Sequence, residues 1–184
     1  QNIVHEEGGK DCVQKSLPGY ISVSTTPDGK DYPLKSNQNP KDANPMYLDT
    51  EGVNYIRSKW AVNPETGKTI LPQREVMMEM YADGLAPITS LNFSGAPKYS
   101  NGGVTYFGKG LSFSLSAKDG VSGVSETQFA LNGNYSKYSN STNASKEGSN
   151  VLYYYSADKV GNVEKTRNSS FTVDLSPPSS SHTI

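Results

Sequence analysis

A chain of 184 residues suits either one large domain or two of about 90 residues, and 17 basic against 18 acidic residues leave a net charge of −1. That balance gives no general attraction for nucleic acid or anionic lipid, and no apolar run approaches the roughly 18 residues of a membrane-spanning helix. With Cys12 as the one cysteine, an intrachain disulfide and a cysteine-cluster metal site are both excluded.

The apolar fraction of 34% is low, but abundant Gly, Pro, Ser and Asn fit many short strands joined by tight turns, and 12 tyrosines supply area to fill a thin core. Residues 1 to 15 show no clear pattern. Tyr20 to Ser24 reads as a strand, Pro27-Asp28-Gly29 as a turn, and Leu34 to Met46 as a loop rich in Asn, Pro and Lys. Asn54 to Val62 reads as a strand and Asn63 to Gln73 as a long turn. Val76 to Tyr81 has helix-favouring Met and Glu, yet strand is expected there, because an internal repeat sets it opposite a later strand.

In that repeat, Met80 to Pro87 echoes Thr172 to Pro178, with Asp83 and Asp174 separated by 91 residues. Upstream, Glu51-Gly52-Val53-Asn54 echoes Glu147-Gly148-Ser149-Asn150, and the step from Gly52 to Gly148 is 96. A period near 90 residues is too long for most solenoids and right for tandem sandwich domains.

The second unit is clearer. Thr89 to Phe93 should open it, and Val104 to Phe107 should follow the Asn101-Gly102-Gly103 turn. Leu111, Phe113, Leu115 and Ala117 alternate with serines, the pattern of a half-buried strand. Thr127 to Leu131 ends on Asn132-Gly133, a tight-hairpin signal. Ser139 to Lys146 is polar and reads as a loop or frayed edge. Val151, Tyr153, Tyr155 and Ala157 share one face with Tyr154 turned away from them, and Phe171 and Val173 share a face of the last strand.

Catalytic chemistry is poorly supplied. The two histidines, His5 and His182, lie near opposite ends, Glu75 and Glu79 more simply face water than act as a pair, and no glycine-rich stretch matches a phosphate loop. The expectation is that the chain is not an enzyme and has no organic cofactor. Asp83, Asp119 and Asp158 stand at strand ends that a sandwich would gather at one end. Together they form a candidate calcium site between the units, since Ca²⁺ takes hard oxygen ligands. The competing and commoner use of such acids is to cap their own turns. Tyr135, Tyr138, Tyr154 and Trp60 are candidates for stacking against sugar, with core filling as the competing role.

Four motifs occur in order: Asp119-Gly120-Val121-Ser122-Gly123-Val124, Phe129-Ala130-Leu131-Asn132-Gly133, Tyr154 to Glu164 (YYSADKVGNVE), and Phe171-Thr172-Val173-Asp174 with Pro177-Pro178. Over residues 87 to 178 they resemble a bacterial immunoglobulin-like repeat, the type named for a leptospiral outer-membrane protein. The first unit matches weakly, having Trp60-Ala61-Val62-Asn63-Pro64 where the Asp-x-x-Gly-Asn turn should be. The resemblance implies a β-sandwich, an extracytoplasmic location (periplasm, outer surface or secreted) and no enzymatic activity.

The expected architecture is therefore all-β, with two tandem immunoglobulin-like sandwiches over residues 1–84 and 85–175. Residues 176–184 form a linker or the start of a further unit. A short connection from Asp83 to Pro87, stiffened by its proline, would join the sandwiches. The expected role is a spacer or interaction module contacting envelope or extracellular proteins, adhesion included. Its rivals are a carbohydrate-binding accessory module and a structural subunit of an envelope assembly. Fold by itself does not decide among them.

Overall fold

The computed structural model describes residues 5–16, 18–19, 46–57, 65–66, 68 and 77–181, and all regular structure among them is β. The chain divides into two compact units, Gln1–Gly84 and Leu85–Ile184.

In the first unit, β1 (His5–Glu7) and β2 (Lys10–Gln14) form a hairpin with His5 opposite Cys12. Gly8 and Gly9 make its turn at φ of 58° and 77°. Two successive positive φ values are what the tightest hairpins need, and glycine takes them without steric cost. This hairpin occupies the stretch that shows no alternating pattern. Short strands β3 (Pro18–Gly19) and β4 (Met46–Tyr47) pair with each other. Strand β5 (Gly52–Arg57) runs antiparallel to β6 (Met77–Asp83), and β2 joins the free side of β6 in parallel, giving the order β1-β2-β6-β5. The Met-rich segment is thus a strand, its helix propensity overridden by pairing on both sides. Tyr20 to Ser24, the Pro27-Asp28-Gly29 turn and the loop up to Pro45 lie outside the described residues, as does the expected continuation of β5 through Val62.

The second unit has β7 (Ile88–Ser94), β8 (Lys98–Asn101), β9 (Val104–Phe107), β10 (Ser112–Lys118), β11 (Val124–Leu131), β12 (Ser136–Lys137), β13 (Thr142–Asn143), β14 (Gly148–Asp158) and β15 (Arg167–Val173). They form a smaller sheet, β13-β10-β7, and a larger one, β12-β11-β14-β15-β9-β8. Phe113 and Leu115 of the smaller sheet share a core with Leu152, Tyr154, Phe171 and Val173 of the larger. The sheets meet through rings: Phe93 lies 4.9 Å from both Phe107 and Phe171, and Phe113 lies 5.3 Å from Phe129, at the tilted or edge-on angles that ring quadrupoles favour. This is sandwich-like packing of two antiparallel-rich layers.

The sequence echo has a matching geometry in each unit. Gly52 and Gly148 both take positive φ, 85° and 91°, and they pair with Ala82 and Val173, the residues before Asp83 and Asp174. Two residues on, Asn54 Nδ2 donates to the carbonyls of Thr50 and Gly52 at 2.7 and 2.9 Å, while Asn150 Nδ2 donates to those of Lys146 and Gly148 at 2.9 and 2.7 Å. The asparagine ties down the kink that the glycine permits. In both units, too, the last strand takes a parallel partner from the early part of the unit, β2 beside β6 and β9 beside β15.

Two local readings are corrected, and a third, the loop or frayed edge over Ser139 to Lys146, holds with an addition. Asn132-Gly133 does not close a two-residue hairpin, because β12 pairs only as far as Phe129 while β11 continues along β14 to Leu131. Asn132, at φ 56°, instead donates through Nδ2 to Asn150 Oδ1 at 2.6 Å and accepts the Val151 amide at 2.8 Å. The polar tract Ser139 to Lys146 contributes β13 on the free side of β10, and Ala144 enters the core. Finally, Tyr154 points inward, so the Val151-Tyr153-Tyr155-Ala157 face is the outer one.

Gly148→Ala tests the shared kink. An added Cβ there meets nothing within 4 Å, so the cost is backbone strain alone. Chemical denaturation is expected to show a loss of about 1–2 kcal/mol for Gly148→Ala and a larger one for Asn150→Ala, which removes a buried side chain together with its hydrogen bonds to the Lys146 and Gly148 carbonyls and to Asn132.

Candidate functional site

The acids that close strands in the second unit are held by backbone amides. Asp158 ends β14 and is buried; its Oδ1 accepts the amides of Val160, Gly161 and Asn162 at 3.0, 2.6 and 2.8 Å. Its Oδ2 accepts Asn162 Nδ2 at 2.7 Å, and its own amide donates to the Asn162 carbonyl at 3.0 Å. Gly161 sits at φ 101°, which is why the Asp-x-x-Gly-Asn order folds into this turn. Asp119 acts similarly: its Oδ1 accepts the amides of Val121 and Gly123 at 3.1 and 2.8 Å. The two turns are clipped together by the Lys159 amide donating to the Gly123 carbonyl at 3.0 Å.

The carboxylates of Asp119 and Asp158 thus come together, with oxygens within 4.8 Å of each other. Asp83 belongs to the first unit, where it ends β6, is buried, and its carbonyl accepts the Lys15 amide at 2.9 Å. A cation at Asp158 would have to share lone pairs that already receive amide hydrogens. The arrangement serves first to shape turns.

A second polar cluster lies deeper. Glu164, just past the turn, accepts the Thr89 amide at 3.1 Å and the Arg167 Nε at 2.7 Å on Oε1, and the Thr89 hydroxyl at 2.6 Å on Oε2. Thr89 Oγ1 lies 2.6 Å from Ser156 Oγ, which lies 2.8 Å from Thr127 Oγ1. Each hydroxyl has one hydrogen, so donation by Thr89 to Glu164 orders the chain: Thr127 donates to Ser156, and Ser156 donates to Thr89. Thr89 stands on the smaller sheet, Ser156 and Thr127 on the larger. Composition and spacing did not single out this cluster; the usable signal was the serine interrupting the Leu152-Tyr154 face.

The aromatic candidates separate. Tyr154 is 8% exposed and belongs to the core, which removes it as a stacking residue, and half-buried Tyr138 packs edge-on to Phe129 at 6.2 Å. Tyr135 remains open at 47% exposure, 5.4 Å from Tyr155 at an interplanar angle of 67°. Trp60 lies outside the described residues. Open rings that sequence reasoning missed are Tyr153 and Tyr99 in the second unit, at 42% and 67% exposure, and Tyr47 and Tyr55 in the first, at 52% and 54%.

Of the groups weighed for catalysis, His5 is half-buried on β1 with Nε2 3.4 Å from the Glu7 carboxylate, and Glu79 is exposed on β6; His182 and Glu75 lie outside the described residues. Cys12 is fully buried on β2. Burial pushes its thiol pKa up, the Asp83 carboxylate adds to this, and Lys10 opposes it. No helix among the described residues is long and apolar enough to cross a membrane. Comparison with known protein families, characterised proteins and solved structures finds no match.

Two outcomes follow. Glu164→Ala should cost the second unit about 3 kcal/mol, because it strands the Thr89 donors, and Thr89→Val should cost about 2 kcal/mol, both read by denaturant unfolding. Cys12 should react with a maleimide at least about tenfold more slowly in the folded protein than in denaturant. Its raised pKa keeps the thiolate scarce at neutral pH, so the folded-state rate should still be climbing with pH where an exposed thiol has levelled off.

Proposed function

We propose that the chain is a non-catalytic pair of immunoglobulin-like units that holds or contacts another protein at a bacterial envelope or extracellular surface. The observation that carries the reading is the strand plan of the second unit. The chain crosses from the smaller to the larger sheet between β10 and β11, returns for β13, and crosses again to β14. Crossings of that kind between two layers are the connections of immunoglobulin sandwiches. In the first unit, the glycine kink, its asparagine tie and the parallel partner of the last strand support the same plan. Location and adhesion rest on the resemblance of residues 87 to 178 to bacterial surface repeats.

The chemistry of the buried polar groups agrees with a binding or spacing role. Asp119, Asp158 and Glu164 are all engaged by donors of their own unit. They serve shape, and they leave the sheet faces and edges as the surfaces available to a partner.

Surface proteolysis and cross-linked affinity purification of the protein from its native cells test this. The expected result is an extracytoplasmic protein, cleaved in intact cells and recovered with a stoichiometric protein partner. Recovery from the cytosol alone, or with only glycan-linked material and no protein partner, would defeat the reading.

A further inference from the structure

Cross-strand pairing fixes which side chains share the outer face of the larger sheet. On β14, Tyr153 stands beside Asn168 of β15, and Val151 beside Ser170. Thr172 of β15 stands beside Tyr106 of β9, and Tyr106 beside Tyr99 of β8. Directly paired residues point to the same side of a sheet, so these groups form one surface. At one end are Tyr153 and Tyr155, the latter paired with Gln128 and held edge-on by Tyr135. At the other are Tyr106 and Tyr99. Between them runs the polar row Asn168, Ser170 and Thr172. With strands about 4.8 Å apart and about 3.3 Å per residue, the two aromatic ends are separated by roughly 20 Å.

Beside Tyr99 and Tyr106 the surface deepens into an open groove of about 390 Å³, bordered by Lys98, Asn101 and Asp174. That is within the size range of small-ligand sites. The charges around the face are balanced: Lys98 and Asp174 both border the groove, and Lys137 lies 3.9 Å from the Glu126 carboxylate at the far rim.

We propose that this face binds a neutral polysaccharide, with Tyr99 and Tyr153 as stacking anchors and the groove as the deepest sugar subsite. A pyranose presents an apolar C–H face and an equatorial rim of hydroxyls. The first meets the electron-rich face of an open tyrosine ring, and the second meets amide, hydroxyl and carboxylate groups such as those of Asn101, Asn168, Ser170 and Asp174. Rings separated by a polar row suit a chain of sugars better than a protein partner, whose contact would be centred on a contiguous apolar core. The balanced charge disfavours nucleic acid and acidic glycans. The proposal is independent of the spacer reading, because a spacer needs no such face.

Affinity gel electrophoresis of the 184-residue protein in gels containing galactomannan, hydroxyethylcellulose, pullulan or dextran, with carboxymethylcellulose as the anionic comparison, is the test. At least one neutral polymer should retard the protein. Tyr99→Ala and Tyr153→Ala should each weaken that retardation about tenfold, as loss of an aromatic anchor does. Tyr99→Phe should keep it, and so should Tyr55→Ala, which removes an exposed ring from the first unit. Unchanged melting temperatures would show that the alanine variants fold. Retardation by none of the neutral polymers, by carboxymethylcellulose alone, or undiminished in both alanine variants would overturn the proposal. The last result would place polymer binding away from this face.

Discussion

The second unit depends on a single buried carboxylate. Glu164 is tied through Thr89 to the smaller sheet, and through the Thr89 hydroxyl to Ser156 and Thr127 of the larger one. A charged group placed between two sheets is stable only if donors surround it, and three converge here, from an amide, a hydroxyl and the Arg167 side chain. Rings pack the sheets together over a broad area without specifying direction. This chain of hydrogen bonds aligns one sheet on the other, and because the Thr89 and Ser156 hydroxyls each both donate and accept, every link polarises the next.

The same constraint explains why half of the strand pattern was legible and half was not. Leu111 to Ala117 could be read at sight, since its inward residues are apolar and its outward ones are serines. Strand β14 misled: its outer residues, Val151, Tyr153, Tyr155 and Ala157, are more apolar than its inner ones, because Asn150, Ser156 and Asp158 point inward to serve the kink, the hydroxyl chain and the turn. Polar groups that are satisfied inside a core look, in sequence, like a solvent face. The hairpin of β1 and β2 escaped for a different reason. Its strands are charged and half-open, and only Gly8-Gly9 marks the turn. Ala144 escaped because its neighbours Asn140 to Lys146 are polar and only one small residue of the tract is needed to close the core.

The turn around Asp158 was the most readable part. Asp-x-x-Gly-Asn encodes a carboxylate to gather amides, a glycine for the left-handed residue and an asparagine to close the loop, and all three do so around Asp158. The repeat spacing was equally informative, because it aligned Gly52 with Gly148 and each proved to carry the same kink. What no spacing could supply was the outer face of the larger sheet. That surface is assembled from six strands whose order is not their order in sequence, with β15 lying between β14 and β9. Tyr99 and Tyr153, 54 residues apart in the chain, belong to one face only because of that order.

The parallel rungs that close each unit have a mechanical meaning. In each unit an early strand lies alongside the last one, over Cys12 to Gln14 beside Tyr81 to Asp83 and over Tyr106 and Phe107 beside Thr172 and Val173. Tension drawn along the chain pulls such a pair in opposite directions along their common axis. The rungs are then loaded in shear, all at once, whereas a hairpin opened from its end yields one rung at a time. In the first unit only β1 among the described strands precedes the latch, which therefore lies close to where force would enter and leave; in the second, β7 and β8 yield or hold before the load reaches β9.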